Sequence, residues 1–288
     1  MICNASGSEI IIMPDRDISS WTSDSIGFTT RVKDVKSGIR SIVYKINGKV
    51  YHEEHFNSKV DNYDYAMVAS DSASTNTGYR VEVVVINNTG TESYNYRQVY
   101  IDKEAPEAMI TGVEEGEHIS GDKTLTFTVR DEAYDTCRGE IHVEREIDGF
   151  RTTVATGDIY PTSAKDVSYR TFGEEGYYTV YFTVVDGAGN SSVSNTVHFT
   201  VDKTAPVLSI SGTTEGSINK SDVTLGFSVV ESFYNTNTVD ITVEKEIDGV
   251  ATTRKINGLL NISKTSNISN TFTEDGRYRI TFTSVDRA

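Results

Sequence analysis

Proline and cysteine are scarce in this sequence, and each shortage argues against one kind of architecture. Its 288 residues include 4 prolines, so long proline-rich linkers are absent. The two cysteines, Cys3 and Cys137, lie far apart and have no partners nearby in the sequence, which argues against a disulfide framework. No apolar run approaches the roughly 20 residues of a membrane-spanning helix, so we expect no direct membrane insertion by this segment.

Positive charge is also in short supply. The chain has 27 Lys and Arg residues against 42 Asp and Glu residues, which gives a formal net charge of −15. Such an acidic surface repels phosphate backbones and anionic lipids, so we expect no nucleic-acid partner, but it is compatible with divalent cations. The first residues, MICNAS, have neither the basic head nor the apolar stretch of a secretory signal. The signal of an exported parent protein would therefore lie outside this sequence.

The chain contains an internal repeat with a spacing of one hundred residues. Residues 101–188 and 201–288 align without a gap, and 35 of the 88 aligned positions are identical. The stretch IDKEAP at 101–106 recurs as VDKTAP at 201–206, and the first hundred residues are a more distant copy. The repeat predicts three similar units in tandem, which we number unit 1 (residues 8–103), unit 2 (104–203) and unit 3 (204–288).

Apolar residues alternate within each unit, as they do in strands with one buried face. In YTVYFTVV at 178–185, the residues at 178, 180, 182 and 184 share one side. Asn47-Gly48, Asp148-Gly149 and Asp248-Gly249 separate β-prone runs and favour tight hairpins. Unit 2 is thus predicted to have about seven strands, near 107–111, 124–130, 140–147, 150–155, 166–172, 177–185 and 193–201, which indicates an immunoglobulin-like sandwich.

Two details refine this prediction. EGYYTV at 175–180 and DGRYRI at 275–280 have the pattern of a tyrosine corner, in which a tyrosine near the start of a late strand bonds back to the backbone. Unit 3 stops at Ala288, whereas unit 2 continues from the matching Ala188 with GNSSVSNTVHFTVD. We therefore expect unit 3 to lack its last strand and the chain to be a fragment of a longer protein.

These stretches resemble the bacterial Ig-like repeat domains: DKTAP after a strand, GYYTVYFTVVDGAGN near the end of unit 2, and DVKSGIRSIVYKINGK at 34–49. The resemblance covers nearly the whole chain. It implies an all-β chain of tandem Ig-like sandwiches and a non-catalytic structural or adhesive spacer, or stalk, in a larger secreted or wall-attached bacterial protein. The alternatives are a glycan- or receptor-binding module of an adhesin, or an accessory module of an exported carbohydrate- or wall-degrading enzyme.

The repeated hexapeptide is typical of a joint between units. The last strand of one unit ends at Asp102 or Asp202, and the next unit begins near Pro106 or Pro206. Proline fixes its own φ and favours an extended conformation in the preceding residue. A connection this short therefore allows little movement between neighbouring units. Three units of about 35–40 Å each would then form a rod of about 100–120 Å.

Acidic residues are concentrated in the loops that lie beside each joint in an Ig-like topology. We expect them to gather there and to bind structural Ca²⁺, which takes about six to eight oxygen ligands; no other cofactor is expected. Aspartate and asparagine are also common in turns, and that interpretation stays open. The candidate ligands are Asp102, Glu104, Asp131, Asp135, Asp186 and Asn190 at the first joint, and Asp202, Glu231, Asn235 and Asp286 at the second.

The remaining candidate sites are weaker. Exposed tyrosines could stack on sugar rings, although tyrosine is also an ordinary strand residue. The pair His52 and His55 lacks the HExxH spacing, and residues three apart on a strand face opposite sides, so we expect surface histidines. No GxSxG elbow is present and no catalytic residue is predicted. The partner is predicted to be an unknown protein or glycan, with Tyr63, Tyr65, Tyr94 and Tyr96 as candidate ligand-binding residues, besides the neighbouring domains of the same chain.

Overall fold

The computed structural model describes residues 7–233, 238–256 and 263–288. The regular structure in these ranges is β-strand, apart from one turn of 3-10 helix at Tyr134–Thr136. The strands form several separate sheets, and each sheet draws its strands from one unit. The prediction of an all-β fold is confirmed.

Unit 1 consists of two sheets that pack face to face. One sheet has the order β1-β2-β5 and the other the order β4-β3-β6-β7, all antiparallel. The strands are β1 (Glu9–Pro14), β2 (Ile26–Lys33), β3 (Ile39–Ile46), β4 (Lys49–Val60), β5 (Asn62–Ala69), β6 (Tyr79–Asn87) and β7 (Glu92–Val99).

Unit 2 repeats this arrangement with two short additional strands. Its strands are β8 (Glu107–Thr111), β9 (Glu117–Ile119), β10 (Lys123–Arg130), β11 (Arg138–Ile147), β12 (Phe150–Thr153), β13 (Lys165–Phe172), β14 (Gly176–Val185), β15 (Ser191–Val193) and β16 (Val197–Val201). The sheets have the orders β13-β10-β8 and β12-β11-β14-β16-β9, with β15 also paired to β14. Strand β9 runs parallel to β16, and the other pairs are antiparallel.

Unit 3 has the same strand order up to its end. Its described strands are β17 (Val207–Ser211), β18 (Val223–Val230), β19 (Thr238–Ile247), β20 (Val250–Ile256), β21 (Thr265–Phe272) and β22 (Arg277–Val285). They form the sheets β17-β18-β21 and β20-β19-β22. Within the described ranges, β22 pairs with β19 alone, whereas the equivalent β14 of unit 2 also pairs with β16.

The central hairpin of each unit turns where the sequence predicts it. Asn47, Asp148 and Asp248 have positive φ angles of 50°, 51° and 49°. The glycine that follows each of them also has a positive φ, for example 79° at Gly149. Two consecutive residues in the left-handed region form the hairpin turn whose twist matches that of the flanking strands, which is why an Asn-Gly or Asp-Gly pair occurs at each site.

Each pair of sheets encloses its own apolar core. The alternating positions of the strands supply it, and in unit 2 they include Leu125, Phe127, Val180, Phe182 and Phe199. Phe127 from one sheet meets Phe182 from the other edge to face, with ring centroids 5.6 Å apart. In unit 3 the equivalent rings, Phe227 and Phe282, lie at the same distance. The repeat in the sequence is therefore also a repeat in packing.

The tyrosine pattern forms the expected bond in units 2 and 3. The hydroxyl of Tyr178 donates to the carbonyl of Glu174 at 2.7 Å, and that of Tyr278 donates to the carbonyl of Glu274 at 2.9 Å. Each bond ties the start of a central strand to the loop that precedes it.

Tyr178→Phe should therefore lower the stability of unit 2 by about 1–2 kcal/mol, because a part-buried carbonyl loses its donor. The matched control is Tyr177→Phe, since the Tyr177 side chain is exposed, and it should change stability by less than about 0.5 kcal/mol. Calorimetric unfolding of the full chain measures both effects. Equal shifts for the two variants would show that the bond contributes nothing.

The last strand of unit 2 differs from its prediction. In place of one strand at 193–201, the structure has β15 and β16 with a break between them. In the break, Asn195 accepts a hydrogen bond from Ile110 N at 2.8 Å and donates one to Ile110 O at 3.1 Å. The side chain of Asn195 thus takes the place of backbone hydrogen bonds between strands. It connects the end of unit 2 to β8 of the opposite sheet. Alternation of apolar residues carries no signal for such a crossover, and it also gave no signal for the short β9.

Candidate cation site at the joints between units

The first joint is held by hydrogen bonds to both units that it connects. The backbone N of Asp102 donates to Thr22 O of unit 1 at 2.9 Å. Its carbonyl accepts a hydrogen bond from Asn190 Nδ2 of unit 2 at 3.1 Å. The next residue, Lys103, donates from its backbone to Ser72 Oγ of unit 1 at 3.0 Å. Asp102 is thus anchored on unit 1 while it reaches unit 2.

Three carboxylates converge at this joint. One oxygen each from Asp102, Asp131 and Asp186 lies within 4.8 Å of the other two. The fold brings them together, because Asp131 directly follows β10 and Asp186 directly follows β14 at the end of the unit that the chain enters. Asp102 and Asp186 are 4% and 5% exposed. The predicted gathering of these three residues is therefore seen in the structure.

Part of the acceptor capacity is used within the loops themselves. Asp186 Oδ1 accepts from Ala188 N and Asn190 N, and Oδ2 accepts from Asn190 Nδ2 at 2.8 Å. Asp131 Oδ1 accepts from Ala133 N. These are turn-forming bonds, as the alternative interpretation of the loop residues predicts.

Burial and the neighbouring negative charges disfavour the ionised forms of Asp131 and Asp102. Burial, together with the charges of Asp102 and Asp186, raises the pKa of Asp131 to about 6. Burial and the charge of Asp186 also raise the pKa of Asp102. The buried thiol of Cys137 lies in the same field, and burial with these charges raises its pKa to about 12, so it stays protonated at neutral pH.

The other predicted ligands of the first joint are outside this group of three carboxylates. Glu104 and Asp135 are exposed, and Asp135 belongs to the 3-10 turn rather than to the acid cluster. The side-chain amide of Asn190 donates hydrogen bonds to the carboxylate of Asp186 and to the backbone carbonyl of Asp102. The sequence could not separate these roles, because each residue type suits either a ligand or a turn.

The second joint has acids at the same three structural positions. Asp202 and Glu231 are 2% and 3% exposed, and Asp286 is half-buried. Oδ2 of Asp202 and Oε2 of Glu231 are buried and have no hydrogen-bond partner among the described residues. Burial, followed by the charges of Glu231 and Asp286, raises the pKa of Asp202 to about 6. Asn235, the remaining predicted ligand, lies outside the described residues.

In unit 1, two of these positions hold a hydrogen-bonded pair, Asp34 and Asn87, in place of two acids. Sequence reasoning missed this pair. Asp34 follows β2, as Asp131 follows β10, and Asn87 occupies the position of Asp186. Asn87 Nδ2 donates to Asp34 Oδ2 at 3.1 Å, and Ser37 N donates to Asp34 Oδ1. Although burial opposes ionisation, these bonds hold the pKa of Asp34 below its usual range. The signal was an Asn in unit 1 where both other units have Asp.

The candidate sugar-binding tyrosines fall into two groups. Tyr63 and Tyr65 are half-buried and pack against the core of unit 1, where Tyr65 stacks on His52 at 4.3 Å between centroids. Tyr94 and Tyr96 are exposed on β7, and the guanidinium of Arg80 lies 4.2 Å from the ring centre of Tyr96. Sugar binding stays a prediction for these residues.

The two histidines of β4 do not share a site. His52 Nε2 lies 2.8 Å from Glu54 Oε1, and His55 Nε2 lies 2.8 Å from Glu53 Oε1. Each ring thus has its own acidic partner.

The fold defines this chain as a protein of immunoglobulin-like β-sandwich type. Residues 104–203, which make up unit 2, match the family model of the bacterial Ig-like domain. No curated protein matches the chain. In the described residues, no helix is long and apolar enough to cross a membrane.

Several solved structures are similar to the chain at low identity. The D1–D4 ectodomain fragment of ICAM-5 has 14% identity and a TM-score of 0.41, over 96% of this chain and 75% of that one. The FN1–FN3 domains of chicken CNTN1 have 14% identity and a TM-score of 0.30, over 96% and 92%. The fibronectin(III)-like modules of CbhA from Clostridium thermocellum have 13% identity and a TM-score of 0.25, over 66% and 94%. Likeness at this level says nothing about what the chain binds.

Proposed function

We propose that the chain is a non-catalytic spacer segment of a larger bacterial protein that is secreted or attached to the cell wall. Its three units are separate Ig-like domains joined in line, and their work is to hold other parts of the protein, or an adhesive surface, away from the cell. The bacterial Ig-like match of unit 2 supports this role, because such domains usually occur in extracellular or surface proteins. We assign no reaction to the chain.

The construction of the joints carries the proposal. A flexible linker would let neighbouring domains tumble independently. At the first joint the connecting residues are bonded on both sides, as Asp102 is to Thr22 and Asn190. At the second joint, the connecting residues are held by unit 2: the backbone of Lys203 donates to Glu175 Oε1 at 2.9 Å, and its ammonium group donates to Asp122 Oδ1 at 2.6 Å.

A direct contact between units 2 and 3 adds to this restriction. Lys264 of unit 3 forms an ion pair at 2.5 Å with Asp148, which lies at the tip of the central hairpin of unit 2. Both side chains are partly exposed, so the pair adds little stability, but it opposes bending in one direction.

Small-angle X-ray scattering of the chain tests the spacer proposal. A stiff row of three units should have a maximum dimension of about 100–120 Å. A single compact body of this length would have a radius of gyration of about 19 Å, well below the roughly 30 Å of the rod. The matched control inserts eight Gly and Ser residues between Lys103 and Glu104, which should broaden the distance distribution. A compact profile for the unmodified chain, or no change on insertion, would contradict the proposal.

A further inference from the structure

We propose that a pocket beside the central hairpin of unit 1 binds one neutral sugar ring, with Tyr51 as the residue on which the ring stacks. The pocket has a volume of about 200 Å³ and lies where the edge strand β4 begins and β5 ends. The spacer role requires no such ligand, so this inference goes beyond it. The residues that border the pocket include Lys49, Val50, Tyr51, Val68, Ser70 and Asp71.

The first argument is a β-bulge at Tyr51 that the central hairpins of units 2 and 3 lack. Between β3 and β4, Tyr44 pairs with His52, and the next pair is Lys45 with Val50. Tyr51 is therefore an extra residue without a partner across the ladder. The equivalent hairpins, β11–β12 and β19–β20, pair without a register shift over their described residues. A bulge changes the direction of the side chain that it contains, and bulges are frequent beside functional sites.

The second argument is the residue type at this position. Counted from the hairpin glycine of each unit, Tyr51 corresponds to Thr152 of unit 2 and Thr252 of unit 3. Each threonine hydroxyl donates to the backbone of the paired strand, to Arg145 O at 3.3 Å and to Lys245 O at 3.4 Å. The fold thus accepts a small residue here, so the hairpin does not need the aromatic ring of Tyr51.

The third argument is the apolar surface around Tyr51. The side chains of Val50, Tyr51 and Val68 are 59%, 48% and 48% exposed, and all three border the pocket. Single exposed apolar residues are ordinary on a protein surface, whereas a group of them around one depression marks a place where a ligand can remove apolar area from water. A tyrosine ring offers such a ligand a flat apolar face.

The fourth argument is the set of polar groups that the protein leaves without partners. Lys49, Ser70 and Asp71 all border the pocket, and their side chains form no hydrogen bond or ion pair in the part of the chain that the structure describes. The ammonium group of Lys49 donates, the carboxylate of Asp71 accepts, and the hydroxyl of Ser70 does both. A ligand that satisfies them must carry donors and acceptors beside an apolar face.

A sugar ring has this combination of surfaces. One face of a pyranose consists of C–H groups that pack on an aromatic ring, and its rim carries hydroxyls that both donate and accept hydrogen bonds. A purely apolar ligand would bury the charges of Lys49 and Asp71 without partners. An anion would be repelled by Asp71 and by the net charge of −15.

The size of the pocket restricts how much of a glycan it can hold. Its volume lies below the roughly 300–1,000 Å³ of pockets that hold drug-sized ligands. The occupant is therefore a single ring, either a free monosaccharide or one residue of a longer glycan that continues into solvent.

Saturation-transfer NMR with the full chain tests the proposal. The probes are the methyl glycosides of glucose, galactose, mannose and N-acetylglucosamine at millimolar concentration. At least one should bind, and Tyr51→Thr, which gives unit 1 the residue of units 2 and 3, should weaken that binding by about five- to tenfold. The matched control is Tyr94→Thr. Tyr94 is an exposed tyrosine of the same unit that does not border the pocket, so its loss should leave the affinity unchanged.

Binding of none of the four glycosides, unchanged affinity in Tyr51→Thr, or an equal loss in Tyr94→Thr would overturn the inference. Saturation transfer to glycylglycine in place of the sugars would also overturn it, because the charged termini of a peptide would then be what Lys49 and Asp71 bind.

Two further measurements separate loss of the site from loss of the fold. Tyr51→Thr should unfold at the temperature of the unmodified chain in calorimetry. Asp71→Asn replaces an exposed carboxylate with an amide of the same size, and it should also weaken sugar binding while the protein stays folded. A chain that binds no sugar can still scatter X-rays as a rod, so this inference and the spacer proposal fail independently.

Discussion

Replacing Phe182 with alanine should destabilise unit 2 by about 3–5 kcal/mol and leave units 1 and 3 folded. Phe182 is fully buried on the central strand β14, and its ring packs against Phe127 from the opposite sheet. Truncation would remove contacts to both sheets at once and leave a cavity that close-packed neighbours cannot refill. The effect should stop at the joints, because each pair of sheets has its own core.

Hydrogen exchange followed by mass spectrometry reads this effect unit by unit. Peptides from residues 107–201 should lose protection in Phe182→Ala, while those from residues 26–99 keep theirs. The control is Phe150→Ala, since Phe150 is 75% exposed at a hairpin end and its loss should change stability by less than about 0.5 kcal/mol. Loss of protection throughout the chain would mean that the units share one cooperative core.

Most of the fold follows from two local patterns. Strict alternation places Phe182 and Val180 inward, and the Asp-Gly pairs turn the chain at one place in each unit, as at Asp148. Both patterns extend over a few residues, so they can be recognised in the sequence without knowledge of the partner strand. The tyrosine corner at Tyr178 can be recognised for the same reason, because its hydroxyl bonds to a carbonyl only four residues away in the sequence.

Features that depend on distant partners could not be predicted in the same way. Asn195 bonds to Ile110 from 85 residues away, so the sequence does not show why the last strand of unit 2 breaks there. The acids of the first joint were expected to meet, because loop positions follow from the topology. Which of them converge was not predictable, since Asp131 and Asp135 are both aspartates of the same loop but only Asp131 belongs to the group of three carboxylates.

Without metal, the second joint should become less stable as the pH rises from about 4 to about 7. The pKa of Asp202 is raised to about 6 in the folded protein, from about 3.9 in an unfolded chain. The folded state therefore favours the protonated acid, and the stability that this proton supplies is complete below about pH 4 and lost as the pH rises through 6. Two pKa units correspond to at most about 3 kcal/mol.

Calorimetry in chelator across this pH range, on the unmodified chain and on Asp202→Asn, isolates the effect. Other acids, such as Asp34 and Glu117, have lowered pKa values, so the stability that they contribute to the folded protein is lost in acid. That loss is the same in both proteins. The variant should therefore gain stability relative to the unmodified chain as the pH rises, and the two should agree near pH 4. Parallel curves would show that Asp202 ionises freely at the joint.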